Sequence, residues 1–446
     1  MPTLTFNHFD SLELFAAGSN SNGQLGLGHT DDVDHFTLAY QSSNPTQILS
    51  FAAGGRHSLI LIEKLSNSSV TSRTLLGSGD RSNHQLPSCV SCPRPTKGEA
   101  RESTRFTEIS YTELISSIQS IDSALRETLL TAYQPNQVGS SWETSFVVLS
   151  PFEKKSPRKD SSVVLTFGST DFGLRGTCSS SFSISQPSLI DLKGDGRSVI
   201  SITNLIAGPK HVVAVVYSRN LDSDETSVNL MGWGAARQGQ LGDFKDTTQK
   251  PVKTLPPTQI PLPFDLPPNP DLVKIGVGKE HTVILCPGHI CSLGSHKYAQ
   301  NVIPGLGLEA QAIVVQCCWN TTFLLKQPLT QTSPTSRILI GFGNNSQAQL
   351  GSLDPNISVL EHDLGESGPV RLAVGSEHVL VSDRVDLVYG WGWNEHGNLG
   401  LPAPSKSPGP SKEARRVIWS ATKGQKLESV FAGCATSFLC VRKSSS

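Results

Sequence analysis

The sequence predicts an all-β fold: a seven-bladed β-propeller, closed by pairing of its N- and C-terminal strands, with residues 1–446 as one domain. Three observations carry that expectation. Two short patterns strictly alternate along the chain, and each occurs seven times. Gly (39) and Pro (28) are frequent, as many strands joined by tight turns require.

The first pattern is a strand ending in Gly, then a polar turn that closes on Gln-Leu-Gly. It reads LFAAGSNSNGQLGLG (14–28), LLGSGDRSNHQLP (75–87), LTFGSTDFGLRG (165–176) and LMGWGAARQGQLG (230–242). It recurs as CSLGSHKYAQN (291–301), ILIGFGNNSQAQLG (338–351) and LVYGWGWNEHGNLG (387–400). Gly18, Gly79, Gly234, Gly343 and Gly392 end strands where the chain must bend sharply. Glycine, without a Cβ, tolerates positive φ and close backbone approach there. Seven residues later these copies place Leu25, Leu86, Leu241, Leu350 and Leu399, expected to anchor the loop in the core between blades. The copies at Gly168 and Gly294 carry Arg175 and Asn301 instead and read as degenerate.

The second pattern is a small-residue turn followed by an alternating apolar strand, the period of a half-buried strand. Its copies are FAAGGRHSLILI (51–62), VGSSWETSFVVL (138–149), LIAGPKHVVAVV (205–216) and IGVGKEHTVIL (275–285). The other three are VQCCWNTTFLL (315–325), LAVGSEHVLV (372–381) and FAGCATSFLCV (431–441). One copy of each pattern defines a blade of about four strands, which buries both faces only by stacking on its neighbours. Residues 430–442 are expected to pair with 12–28 inside one composite blade, removing the open edges of an unclosed ring. His57, His211, His281 and His378 recur at one position, replaced elsewhere by Glu143, Asn320 and Thr436. Repetition around a ring points to a structural task, a ring nitrogen bonding a turn carbonyl.

Insertions are expected at about 88–137, 244–272 and 401–414. Within the first, Ile115, Ile118, Leu125 and Leu129 stand near helical spacing and predict a helix over 112–132 on the outside of the ring. The Pro-rich second predicts an extended loop, and the third a flexible one.

Composition narrows function. A net charge of -1, from 37 Lys+Arg and 38 Asp+Glu, argues against a broad nucleic-acid surface. The runs Lys154, Lys155, Arg158, Lys159 and Arg442–Lys443 read as solvated loop and terminus. No stretch of about 18 apolar residues predicts a membrane span, and residues 1–15 lack the basic start of a secretory signal. Nine Cys without regular spacing point to a reducing compartment. The expected location is the cytoplasm, with access to the nucleus.

No GxxxxGK[ST], GxSxG or HExxH motif is present, so no enzymatic activity and no cofactor are expected. His281, Cys286, His289, Cys291 and His296 lack zinc-finger spacing, and Cys89 and Cys92 form a single CxxC; neither group is expected to hold a metal. Trp391 reads as packing between blades, while Trp142 and Trp319 fall in turns of degenerate copies, where packing is again the default. Trp393, Glu395 and His396 lie in the turn beyond Gly392, and Glu377 lies in the adjacent turn. These four are the partner-binding candidates, because loop aromatics bury large area at small entropy cost.

AGGRHSLILI and GSNSNGQLGLG resemble halves of the repeat in the regulator-of-chromosome-condensation family. Within it, GSNSNGQLGLGHTDD (18–32), SSWETSFVVL (140–149) and CCWNTTFLL (317–325) resemble the fungal alpha-tubulin-suppressor, or killer-toxin-insensitivity, branch. So do VGSEH (374–378), YGWGWNEHGNLG (389–400) and VFAGCATSFLC (430–440). That resemblance implies a monomeric adaptor in a heterodimer with the small zinc-ribbon electron carrier of diphthamide synthesis. It also implies indirect support of Elongator-dependent modification of the tRNA wobble uridine. Chromosomal members of the family imply another role, nucleotide exchange on a Ran-type GTPase with nucleosome docking.

Overall fold

A computed structural model describes residues 11–42, 46–66, 69–87, 102–152, 161–176, 186–190, 192, 198–300, 310–328, 336–365, 370–382, 385–402 and 412–444. Seven antiparallel sheets form a β-propeller. Six take their strands in chain order, beginning innermost with Thr46–Ala53, Tyr133–Ser140, Ser198–Ala207, Lys274–Val277, Ala310–Cys317 and Arg371–Val374. They are numbered here as blades one to six. Blade four has three strands among the described residues, the others four.

The seventh blade is composite. From the outside inward it runs Val33–Ser42, Ser11–Gly18, Thr436–Lys443 and Gln425–Ala432. Ser11 to Gly18 pairs residue by residue with Lys443 to Thr436. The terminal strands thus close the ring as the sequence predicts. Arg442 is no solvated terminus: its guanidinium pairs with Glu428 at 2.7 Å within this blade.

The core is a series of apolar seams between blades. Leu25, Leu86, Leu241, Leu350 and Leu399 are buried in those seams. Each such side chain contributes about 2 kcal/mol by leaving water. The Leu is placed by polar loop residues. Asn20, Asn345 and Asn394 accept the backbone N–H of Leu25, Leu350 and Leu399 at 3.0, 2.8 and 2.8 Å. Trp391 is wholly buried against Val379, Val381 and Phe323, and its Nε1 donates to the Gln349 carbonyl at 2.7 Å.

The expected helix over 112–132 is two, α1 (Tyr111–Ser117) and α2 (Ser123–Ala132). Asp122 accepts the Leu125 N–H at 2.7 Å and so starts α2 afresh. Ile115, Ile118 and Leu129 are buried against blades one and two, whereas Leu125 is 41% exposed. Residues 102–108 and 133–137 belong to strands of the ring. The Pro-rich segment departs from a loop: Thr254–Gln259 is the outer strand of blade three, an edge position where Pro costs no ladder bond. Of 401–414, residues 403–411 lie outside the described residues, and Lys412 opens the strand Lys412–Ser420. The Lys154–Lys159 run and Cys89 and Cys92 also lie outside them.

Candidate interaction face

Both repeat patterns turn at the same end of the ring. The Gly ending the first pattern pairs with the residue that opens the second strand of its blade, as in His57↔Gly79, His211↔Gly234 and His378↔Gly392. At this Gly φ lies between +99° and +128° in all seven blades. A Cβ there would strike the carbonyl oxygen of the preceding turn, at 2.2 Å from Ala435 for Gly18 and 2.7 Å from Lys210 for Gly234. Gly168 and Gly294 obey the same rule, so the degenerate copies keep the geometry. Arg175, at the Leu position, is buried, and its guanidinium donates to Ser188 Oγ at 3.0 Å.

The same register corrects the repeat position of the histidines. Thr144 pairs with Gly168, Thr321 with Gly343 and Thr436 with Gly18. The His equivalents are therefore Thr144, Thr321 and Thr436, and Glu143 and Asn320 stand one residue earlier. The histidines reach their carbonyl through a hydroxyl of the next blade. His57 meets Ser145 at 2.8 Å, His211 meets Thr282 at 2.8 Å, His281 meets Thr322 at 3.0 Å and His378 meets Ser437 at 3.0 Å, all through Nε2. Ser145, Thr282 and Thr322 donate onward to the carbonyls of Gln85, Gln240 and Gln300 at 2.6, 2.8 and 2.7 Å. Ser437 donates likewise to Asn398. A hydroxyl that spends its proton this way accepts from the imidazole, so Nε2 carries the hydrogen. Burial holds these rings neutral, at pKa values of about 4 for His57, His281 and His378 and about 3 for His211. They knit blades together and perform no titration chemistry near neutrality.

The imidazoles of His57, His281 and His378 each lie against a Gly three residues earlier. A Cβ on Gly278 would come within 2.1 Å of His281, and one on Gly375 within 2.2 Å of His378. Where Thr replaces His, as in blades two and five, Ser141 and Cys318 take the Gly position.

An axial cavity of about 460 Å³ is lined by innermost strands of all seven blades, among them Phe51, Ser140, Asn204, Lys274, Gln316 and Val374. At its mouth Trp142 of blade two and Trp319 of blade five meet across the axis, with ring centroids 6.0 Å apart. Trp142 is 42% exposed. Core packing between blades, the default reading, fails for this pair. Trp319 donates its backbone N–H to Ser376 at 2.9 Å and Lys279 donates to Trp319 at 2.9 Å, stitching the turns of blades four, five and six. Lys279 Nζ also sits over the Trp319 ring, 5.1 Å from its centroid.

The four partner-binding candidates occupy two places on this face. Trp393 is half-buried; its Nε1 donates to Glu395 at 3.1 Å, and the His396 ring stands edge-on to it at 5.3 Å. His396 Nδ1 meets Asp32 of the composite blade at 2.7 Å. Glu377 joins this group through the backbone, its carbonyl accepting the Trp393 N–H at 2.9 Å. Its carboxylate acts on two residues of the cavity lining. Burial raises its pKa, Lys279 opposes that rise, and its charge bears on Cys318 and Cys434. Of His281, Cys286, His289, Cys291 and His296, His281 is bonded to Thr322 and His289 stacks on Phe264 at 4.4 Å, while Cys286 faces His289 across a hairpin. No group of three metal-ligating side chains forms among the described residues.

These features define a class: a repeat propeller presenting one face of short, rigid turns. The model of the regulator of chromosome condensation (RCC1) repeat matches residues 13–61 and 386–440. Over those two stretches the chain is similar to that repeat. An RCC1 domain-containing protein of Dictyostelium discoideum is 23% identical over 310 residues, covering 57% of this chain and 57% of that protein. The ultraviolet-B receptor UVR8 of Arabidopsis thaliana is 23% identical over 256 residues, covering 53% of this chain and 50% of the receptor. The chain thus spans about half the length of the curated relatives it matches. Among solved structures, Prp20p of Saccharomyces cerevisiae superposes with a TM-score of 0.64 at 16% identity, over 98% of this chain and 94% of Prp20p. Human WBSCR16 gives 0.60 at 15% identity, over 98% of this chain and 99% of its own. At such identities the likeness is one of fold.

Proposed function

We propose that this propeller is a non-enzymatic adaptor whose turn face binds the small zinc-ribbon electron carrier of diphthamide synthesis. Through that carrier it supports diphthamide formation and, indirectly, Elongator-dependent modification of the tRNA wobble uridine. It works in the cytosol, with access to the nucleus, as a monomer in a heterodimer. One observation supports this reading above others. The stretches resembling the alpha-tubulin-suppressor branch, 18–32, 140–149, 317–325, 374–378, 389–400 and 430–440, all contribute turns to the same end of the ring. Likeness held on one face, by four different blades, is what a shared binding surface requires.

The test is a pull-down of the tagged full chain from native cell extract, read by mass spectrometry. Recovery of the zinc-ribbon carrier supports the adaptor. Recovery of a Ran-type GTPase with histones instead would replace it with an exchange factor; Prp20p, of like fold, is described with binding properties to Gsp1p and histones.

A further inference from the structure

One position of the turn face carries charge in most blades: the residue before the His or Thr of the relay. In ring order it is Arg56, Glu143, Lys210, Glu280, Asn320, Glu377 and Ala435. Two of its three carboxylates are neutralised by the blade alongside. Arg56 meets Glu143 at 3.3 Å, and Lys210 meets Glu280 at 2.6 Å. Glu377 stands between Asn320 and Ala435, neither of which carries charge. Among the described residues its carboxylate makes no hydrogen bond and no ion pair, and it is half-buried.

This carboxylate lies near the Trp319 turn: its charge bears on Cys318, and Lys279, which sits over the Trp319 ring, acts on it without forming an ion pair. The position of Lys279 over Trp319 shows that the ring face accepts an ammonium ion. Aromatic faces and a carboxylate without an ion pair are complementary to a cation with an apolar stem. We propose that the channel mouth binds a Lys or Arg side chain presented by a protein partner, its stem against Trp142 and Trp319 and its charge on Glu377. The site is independent of which protein is the partner, and so of the carrier assignment.

The test uses the full chain labelled with 5-fluorotryptophan, followed by 19F NMR. Trp142→Phe and Trp319→Phe assign two of the six tryptophan signals. The probes are the blocked tripeptide Gly-Arg-Gly, its neutral citrulline analogue and Gly-Glu-Gly. The arginine peptide should move both assigned signals with about millimolar affinity, as expected for one side chain. The citrulline peptide should leave them in place. Glu377→Gln should weaken the arginine peptide roughly fivefold or more, and Lys279→Met should tighten it by removing a competing ammonium. Thermal melting of each variant controls for folding. Equal shifts with the neutral peptide, shifts with the glutamate peptide, or Lys279→Met and Glu377→Gln both without effect would overturn the proposal.

Discussion

The imidazole of His378 and the hydroxyl of Ser437 meet at 3.0 Å across the seam between blade six and the composite blade. Ser437 passes the bond on to the Asn398 carbonyl. One hydroxyl therefore satisfies two buried polar groups at the seam where the chain ends join. Ser437→Ala should leave both unsatisfied and cost about 2 kcal/mol. A shift of the urea midpoint with an unchanged slope checks it.

Four such histidines make stability depend on acid. Their folded pKa values, about 3 to 4, lie below the 6.5 of an unfolded histidine. The unfolded chain binds the extra protons, so their full contribution to stability is present above pH 6.5 and is lost as pH falls toward 4. Near pH 5 the four together should lower stability by roughly 5 kcal/mol per pH unit. Circular dichroism against pH should show cooperative unfolding in this window. A melting temperature flat from pH 7 to pH 4 would contradict the buried neutral rings.

Glycine and histidine three residues apart form a packing unit. Gly278→Ala should clash with His281 and cost on the order of 2 kcal/mol. In the His281→Thr background the same substitution should cost less, because blades two and five pair a side chain at this position with Thr. A double-mutant cycle measures that coupling.

Deleting residues 430–446 removes the strand Thr436–Lys443 and exposes the edge of Ser11–Gly18. The truncated chain should aggregate and lose its cooperative melt, since an unpaired central edge recruits other chains. An unchanged melting temperature would contradict closure through the terminal strands.

The ring and its closure were legible because period-two strands and Gly-ended turns repeat seven times. The relay was legible too, but in two registers at once. Ser58, Ser145, Thr282, Thr322 and Ser437 carry the hydroxyl after the repeat position, whereas Val212 and Val379 do not. Those two follow blades whose position is Thr144 and Thr321, so hydroxyl and histidine vary together across six of the seven seams, the exception being Thr436 before Ser58. Glu143 and Asn320 stand one residue before the true equivalents Thr144 and Thr321, a one-residue slip that the sequence alone does not reveal. Trp142 and Trp319 were unreadable as a pair because 177 residues separate them (142 and 319), and only ring closure brings blades two and five face to face. The split of α1 from α2 had a local signal in Asp122, an N-cap residue inside an otherwise helical pattern.

The adaptor reading is tested most directly by calorimetric titration of the purified zinc-ribbon carrier into the wild-type chain and Trp393→Ala. Trp393 is half-buried in a surface turn, so the variant should remain folded by circular dichroism. The wild type should bind one carrier, and loss of a central Trp should cost about 2 kcal/mol, roughly thirtyfold in affinity. Absence of binding to the wild-type chain would contradict the adaptor function, and equal affinity in a folded Trp393→Ala would move the contact away from Trp393, Glu395 and His396.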